Sequence, residues 1–329
     1  MRRTVRLAAV TAAALTAGVL VHAPAAQADL VTYCIGTGGA VTVPNDLYVP
    51  AGESCALTGT IVTGNVSVAA GGNLVVAGGR VDGQVSVAAD GYLDLKQSTV
   101  RGDVTLASGG YGVYLNDSDT GSLAVRPKGS ATVDSFLFAE RASVDGSVNA
   151  QAGEVHLDDG TQVTGSLSTT GTYYTDLHDS FVDGALSVLN SATGSVVCGS
   201  AVRGRATFSG NLGGVQVGLG GTLDSCASGG YFNADVSITN TTGAASVADT
   251  IINGSLTVQR NTPAASVAAS NRIRGGVIGD TAAASKSARS AAAGAGTADR
   301  DERGEQRAGQ RRAAAVSEAV AAGDAGLGR

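Results

Sequence analysis

The sequence predicts an all-β chain: a single-stranded parallel β-solenoid of about 11 coils of 19–21 residues, followed by a disordered tail. Three observations carry this reading. The stretches "VTGNVSV" (62–68), "VDGQVSV" (81–87) and "VRGDVTL" (100–106) write one pattern nineteen residues apart. Apolar residues alternate after each glycine, as in strands with one buried face. The composition holds 48 glycines, five prolines, one methionine and no tryptophan, which suits a narrow aliphatic core broken by turns better than a thick irregular one.

Taken in order, the chain opens with Arg2, Arg3 and Arg6, an apolar run from Leu7 to Val21, and Ala26 and Ala28 before Asp29. This is the pattern of a secretory signal peptide over residues 1–28, cleaved after Ala28. Without its three arginines the chain carries 19 basic and 28 acidic residues, a net charge of 19 − 28 = −9. An acidic chain poor in aromatics has no basic groove, which excludes nucleic-acid binding as a class. No second apolar run of membrane-spanning length follows, so a secreted, extracellular or cell-surface protein is expected.

Residues 29–58 lack the repeat and contain Cys34 and Cys55, with Pro44 and Pro50; they read as a disulfide-stapled cap over the first coil. The four cysteines, Cys34, Cys55, Cys198 and Cys226, are an even set in an exported chain and permit three pairings. Proximity favours Cys34–Cys55 and Cys198–Cys226, each about one repeat apart. No CxxC spacing or nearby histidine supports a cysteine metal site.

The solenoid is expected over residues 59–280. The glycine recurs at 64, 83, 102 and 121, at 146, 165, 184 and 204, and at 254 and 275, with Ala234 in one slot. Longer intervals before Gly146 and Ala234 mark one insertion each. A second strand per repeat is marked by pairs such as Leu74 with Val76, Leu93 with Leu95 and Val113 with Leu115. One repeat cannot bury its own apolar face, but stacked repeats place valine on valine. Glycine at the corner either takes positive φ or lets the next coil approach. From Thr281 the strand pattern stops, and the Ala/Arg/Gly-rich tail to 329 reads as disordered with a short helix from about Ala313 to Ala322. Out-of-frame translation of a GC-rich gene would give a similar composition.

The "VxGxVxV" coil with its second "GxLxV" strand resembles secreted parallel β-helix proteins of actinomycetes, and more distantly the bactofilins, over residues 59–279. The resemblance rests on periodicity. It implies a stacked rod, and the bactofilins add the idea of polymerisation, although the signal peptide and cysteines depart from those cytoplasmic scaffolds. Pectate-lyase-like and polygalacturonase-like enzymes share a right-handed β-helix, the winding expected here; a shared fold transfers no chemistry.

The densest ionisable group is Glu154, His156, Asp158 and Asp159 with Asp176, His178 and Asp179 one coil on. Counting from Gly165 and Gly184 puts Asp159 and His178 at one place on adjacent coils. Asp159, Asp176 and His178 are the candidate acid–base residues of a carbohydrate-active enzyme, a polysaccharide lyase or glycoside hydrolase; the aspartates could instead hold calcium or serve only as turn formers. Lys96, Lys128 and Arg141 are expected outside that column, which weakens a lyase. A hydroxyl column that includes Ser67, Ser86, Thr105, Ser168 and Ser187 must face outward. Charged members of the neighbouring column, such as Asp103 and Arg205, argue against ice binding. Tyr111, Tyr114, Tyr173 and Tyr174 fit corner filling better than a sugar platform. No cofactor or metal motif is present. The expected function is a secreted, non-enzymatic structural or surface-interaction solenoid that contacts envelope or extracellular polysaccharide or self-associates, with the enzyme as alternative.

Overall fold

A computed structural model describes residues 30–282 and 298–327. The expected signal peptide, and the tail residues 283–297, lie outside these. Three parallel sheets of 13, 12 and 12 strands run through residues 31–279, each coil giving one strand to each sheet. Equivalent residues pair in register: Val66, Val85 and Val104 in the first sheet, Leu74, Leu93 and Val113 in the second, and Val62, Val81 and Val100 in the third. All are buried. Each such side chain contributes about 1.5–3 kcal/mol by leaving water.

The third sheet is built from the first valine of each "VxG" step, in strands as short as Arg80–Val81 and Thr99–Val100. The corner glycines after it are not in the left-handed region. Their requirement is close approach: a Cβ on Gly102 would stand 2.6 Å from the carbonyl oxygen of Gly83, to which the Gly102 N–H donates at 3.1 Å. Ala234 takes that slot with an ordinary backbone.

The N-terminal segment is no separate cap. Strands Val31–Tyr33, Gly36–Gly38 and Thr42–Val43 pair with Asp46–Val49, Ser54–Thr58 and Ile61–Val62, so residues 30–58 are themselves solenoid. Sequence reasoning misses them because Asn45, not glycine, stands beneath Gly64 at the corner. The disulfides pair as expected, Cys34–Cys55 with Cα atoms 5.6 Å apart and Cys198–Cys226 with 5.4 Å. The first is buried among the lowest coils; the second ties the insertion 219–230 to the second sheet.

Within the tail expected to be disordered, the helix α1 spans Ala298–Ala322, well beyond the short 313–322 segment. Its stabilisation comes from tertiary contact, which composition does not reveal. Gly304, Ala308, Ala315 and Ala319 make a small-residue face that lies buried on the outer side of the second sheet, with Gly304 set directly over Phe138. Tyr92, Phe136, Phe138 and Tyr174 are buried beneath it. Arg307 pairs with Glu154, Arg312 Nε lies 2.6 Å from Asp94 Oδ2, and the Ser54 hydroxyl donates to Glu318 at 2.6 Å. From Glu305 to Gly323 the helix advances about 27 Å, while six steps of the second sheet, from Glu154–Asp158 to Gly36–Gly38, advance about 29 Å; the two repeats match end to end.

Past the helix, Thr37 N–H donates to Gly323 O at 2.7 Å and Ala325 N–H to Thr37 O at 2.9 Å. Leu327 packs beside Leu57 against the core. The C-terminus thus covers the edge of the first coil in the second sheet. Tyr111, Tyr114 and Tyr174 accordingly fill no corner: they form a shelf for the helix, with Arg311 and Arg312 each 4.7 Å above the rings of Tyr111 and Tyr114, while Tyr173 is exposed.

Burial pushes the Asp94 carboxyl above the ordinary carboxylate range despite the adjacent guanidinium of Arg312. Arg312→Ala is therefore expected to weaken helix docking by roughly 1–3 kcal/mol, the lower side of a buried charged contact because the arginine is 33% exposed. Hydrogen exchange of the helix amides measures it. Burial, with Asp94 and Glu140 adding, also pushes the Tyr92 and Tyr114 hydroxyls up. An unfolded tyrosine ionises near pH 10, whereas these hold their protons, so stability present below about pH 10 is lost as pH rises past it. An alkaline titration should release the helix, and Tyr92→Phe should flatten that dependence.

Candidate functional site

Beyond the aromatic shelf, the outer face of the second sheet becomes ionisable. Strand Glu154–Asp158 pairs with Tyr174–His178 so that His156 faces Asp176 and Leu157 faces Leu177, and His178 in turn faces Cys198. The inward residues Val155, Leu157, Thr175 and Leu177 are buried, which forces His156 and His178 outward. Their rings stand 5.3 Å apart, edge to face.

The insertion 219–230 folds back over this column. The buried Gln216 organises it, accepting from the N–H groups of Leu223 and Asp224 at 2.9 and 3.0 Å and donating to Asp224 O at 2.8 Å. Asp224 is thereby aimed at His178, its Oδ2 3.1 Å from Nε2. On the other side, His156 Nε2 is 3.9 Å from Asp158 Oδ2 and Nδ1 is 4.0 Å from Glu305 Oε1 of the helix. A cleft of about 370 Å³ results, lined by these residues and Glu302.

The expected trio does not converge. His178 lines the cleft. Asp176 is buried, and its Oδ1 accepts from Val196 N–H at 2.9 Å. Asp159 sits at the exposed corner between the second and third sheets with φ 53°, where Arg141 Nη1 lies 2.9 Å from its Oδ2. The pairing of Asp159 with His178 is off by one, and Asp158 is the residue level with His178. The earlier coil turns its corner with three residues, 159–161, and the later one with two, 179–180, so counting back from the glycine slips. Arg141 also lies in this corner column, contrary to expectation: its Nε reaches Asp117 Oδ1 at 2.8 Å. Asp117, Arg141, Asp159 and Asp179 all have φ between 45° and 53°, a conformation that favours Asp over most residues; these aspartates serve the turn.

Sequence reasoning misses Asp224 and Glu305. The long interval before Ala234 and the position of Cys226 within it are the sequence signals that this loop returns to the sheet; nothing in the tail places Glu305. Chemically, two imidazoles among carboxylates in a partly closed cleft can exchange protons or hold a cation. Comparison with protein-family models, with curated proteins and with solved structures gave no match. Among the described residues no helix is long and apolar enough to cross a membrane.

Asp176→Ala should lower stability by roughly 1–3 kcal/mol, because it strands the buried N–H of Val196. Asp176→Asn, which keeps an acceptor oxygen, should cost less. Denaturant unfolding of the two variants checks the order.

Proposed function

We propose that the chain is an exported, non-enzymatic rod whose first sheet holds an extended polysaccharide of the cell envelope or the extracellular medium. One observation carries the reading. Tyr33, Tyr48, Ser67, Ser86 and Thr105 occupy a single outward column in unbroken register. The two tyrosines meet edge to face at 5.4 Å, and the Ser86 hydroxyl lies 3.3 Å from that of Ser67. Beside them Ala69, Ala88 and Ala107 leave a shallow groove of about 390 Å³.

An aromatic ring offers the C–H face of a sugar an apolar platform, with a hydroxyl at its tip for hydrogen bonding. The hydroxyls that follow repeat at about 4.8 Å, close to the length of one pyranose, so successive sugars would meet the same donors and acceptors. Two internal disulfides are compatible with export. The likeness to secreted β-helix proteins supports the same reading. Over its first seven strands the second sheet is covered by the chain's own helix, whereas the first sheet keeps its outward column open over the same coils.

Titration of the full chain with a panel of soluble glycans tests this. Tyr48→Ala should weaken binding about tenfold, equivalent to ~1.4 kcal/mol, with Tyr33→Ala similar and Tyr231→Ala on the third sheet without effect. A chain that binds no glycan, or a Tyr33/Tyr48 double variant that binds equally well, overturns the proposal. Reducing ends or unsaturated uronates released from the same panel would favour the enzymatic alternative.

A further inference from the structure

We propose that the histidine cleft is a site for a zinc-class divalent transition metal, with His156, Asp158, His178 and Asp224 as its protein ligands. The inference is independent of the glycan reading, since it concerns the other side of the rod.

One donor atom each from His156, Asp158 and His178 lies within 4.8 Å of the others, and His178 Nε2 lies 3.1 Å from Asp224 Oδ2. Zinc bonds of about 2.0–2.1 Å to nitrogen and oxygen place neighbouring tetrahedral donors about 3.3–3.4 Å apart. The observed distances bracket that edge: 3.1 Å between His178 and Asp224, and 3.9 Å between His156 and Asp158. Donors that stand up to 4.8 Å apart must close by roughly an ångström to share one ion, and Asp224, which neighbours His178 but does not lie within that distance of both His156 and Asp158, must swing furthest.

Donor chemistry narrows the metal. Calcium and magnesium take six or more oxygens in most sites, whereas imidazole nitrogen suits zinc, copper and nickel. Thiolate is excluded, because Cys198 at the rim is bonded to Cys226. Two neutral imidazoles and two carboxylates balance a divalent charge within the ligand set, and Glu302 and Glu305 at the rim add negative charge that favours a cation.

The donors are also held in place before any ion arrives. His156 and Asp158 share one strand and His178 sits on the next, so backbone pairing sets their spacing. Asp224 is fixed by Gln216 and by the Cys198–Cys226 bridge. Glu305, 4.0 Å from His156 Nδ1, stands where an outer carboxylate orients a ligating imidazole. Through it a bound ion would also strengthen the docking of helix α1.

Full-length chain stripped with chelator and titrated calorimetrically with zinc chloride should take up one ion per chain. His178→Gln and Asp158→Asn, each confirmed folded by circular dichroism, should weaken uptake at least tenfold, while Asp159→Asn and Asp119→Asn leave it unchanged. Cobalt(II) in place of zinc should give the intense visible bands of a four-coordinate nitrogen–oxygen site. No uptake at micromolar zinc overturns the proposal. So does uptake that survives the His156→Gln/His178→Gln pair, since the ion then sits elsewhere. If those variants fail to fold, the cobalt spectrum of the unaltered chain decides, and the weak bands of an octahedral all-oxygen site overturn it.

Discussion

Each coil can advance the axis only by the distance between hydrogen-bonded strands, about 4.8 Å, and the structure depends on the chain meeting that limit at every corner. One tight point that recurs is the step from the third sheet to the first. There Gly102 hydrogen bonds to Gly83, and Gly121 to Gly102, with backbone packed directly on backbone. A Cβ there must be absorbed by a local shift of the coil, which the Ala234 corner achieves with its ladders still paired on both sides. Where the corner is kept, identity of side chain follows identity of position, so valines fill the interior as continuous columns. The outer faces inherit the same spacing, which turns isolated hydroxyls and tyrosines into rows.

Those rows have different fates on the three sides. On the second sheet the outward positions carry Tyr92, Phe136, Phe138 and Tyr174, too much apolar area to leave in water. The helix with its glycine and alanine face covers them closely, and its arginines meet Asp94 and Glu154 at the margin. Burying Asp94 works against docking, as the upward push on its carboxyl shows; Arg312 and the Tyr92 hydroxyl offset that penalty by both reaching the same oxygen. The arrangement fixes where along the rod the helix stops. It also explains how the open lower edge of the second sheet is closed: Gly323 and Ala325 pair with Thr37.

The columns were legible in the sequence because a two-residue alternation repeated every nineteen residues leaves few other ways to bury Val66, Val85 and Val104. Both disulfides were legible for a related reason, since one repeat along the chain is one step up the stack. Asn45 in a glycine slot hid the first coils. Only the last part of the helix, about 313–322, could be read from composition: Gly304, Ala308, Ala315 and Ala319 look like filler until an aromatic shelf is placed opposite them. The site was legible only in part. His178 and its neighbours stood out as a cluster, yet one additional residue at the corner after Asp158 moved the register by one, and Asp224 came from a loop with no periodicity to follow.

Regular coils make regular surfaces, and a converging set of different side chains needs a departure from regularity. Three departures meet at the histidine cleft. The corner 159–161 is one residue longer than the next, which sets Asp158 level with His178. The insertion 219–230 brings Asp224 back across the strand ends under the control of Gln216 and a disulfide. The helix carries Glu302 and Glu305 to the rim. The first sheet over Tyr48 to Thr105 shows no such break, and its chemistry is the same from coil to coil. A repeated ligand suits the unbroken face, and a single small ion suits the place where the repeat is interrupted, because the symmetry of each surface matches what it can hold.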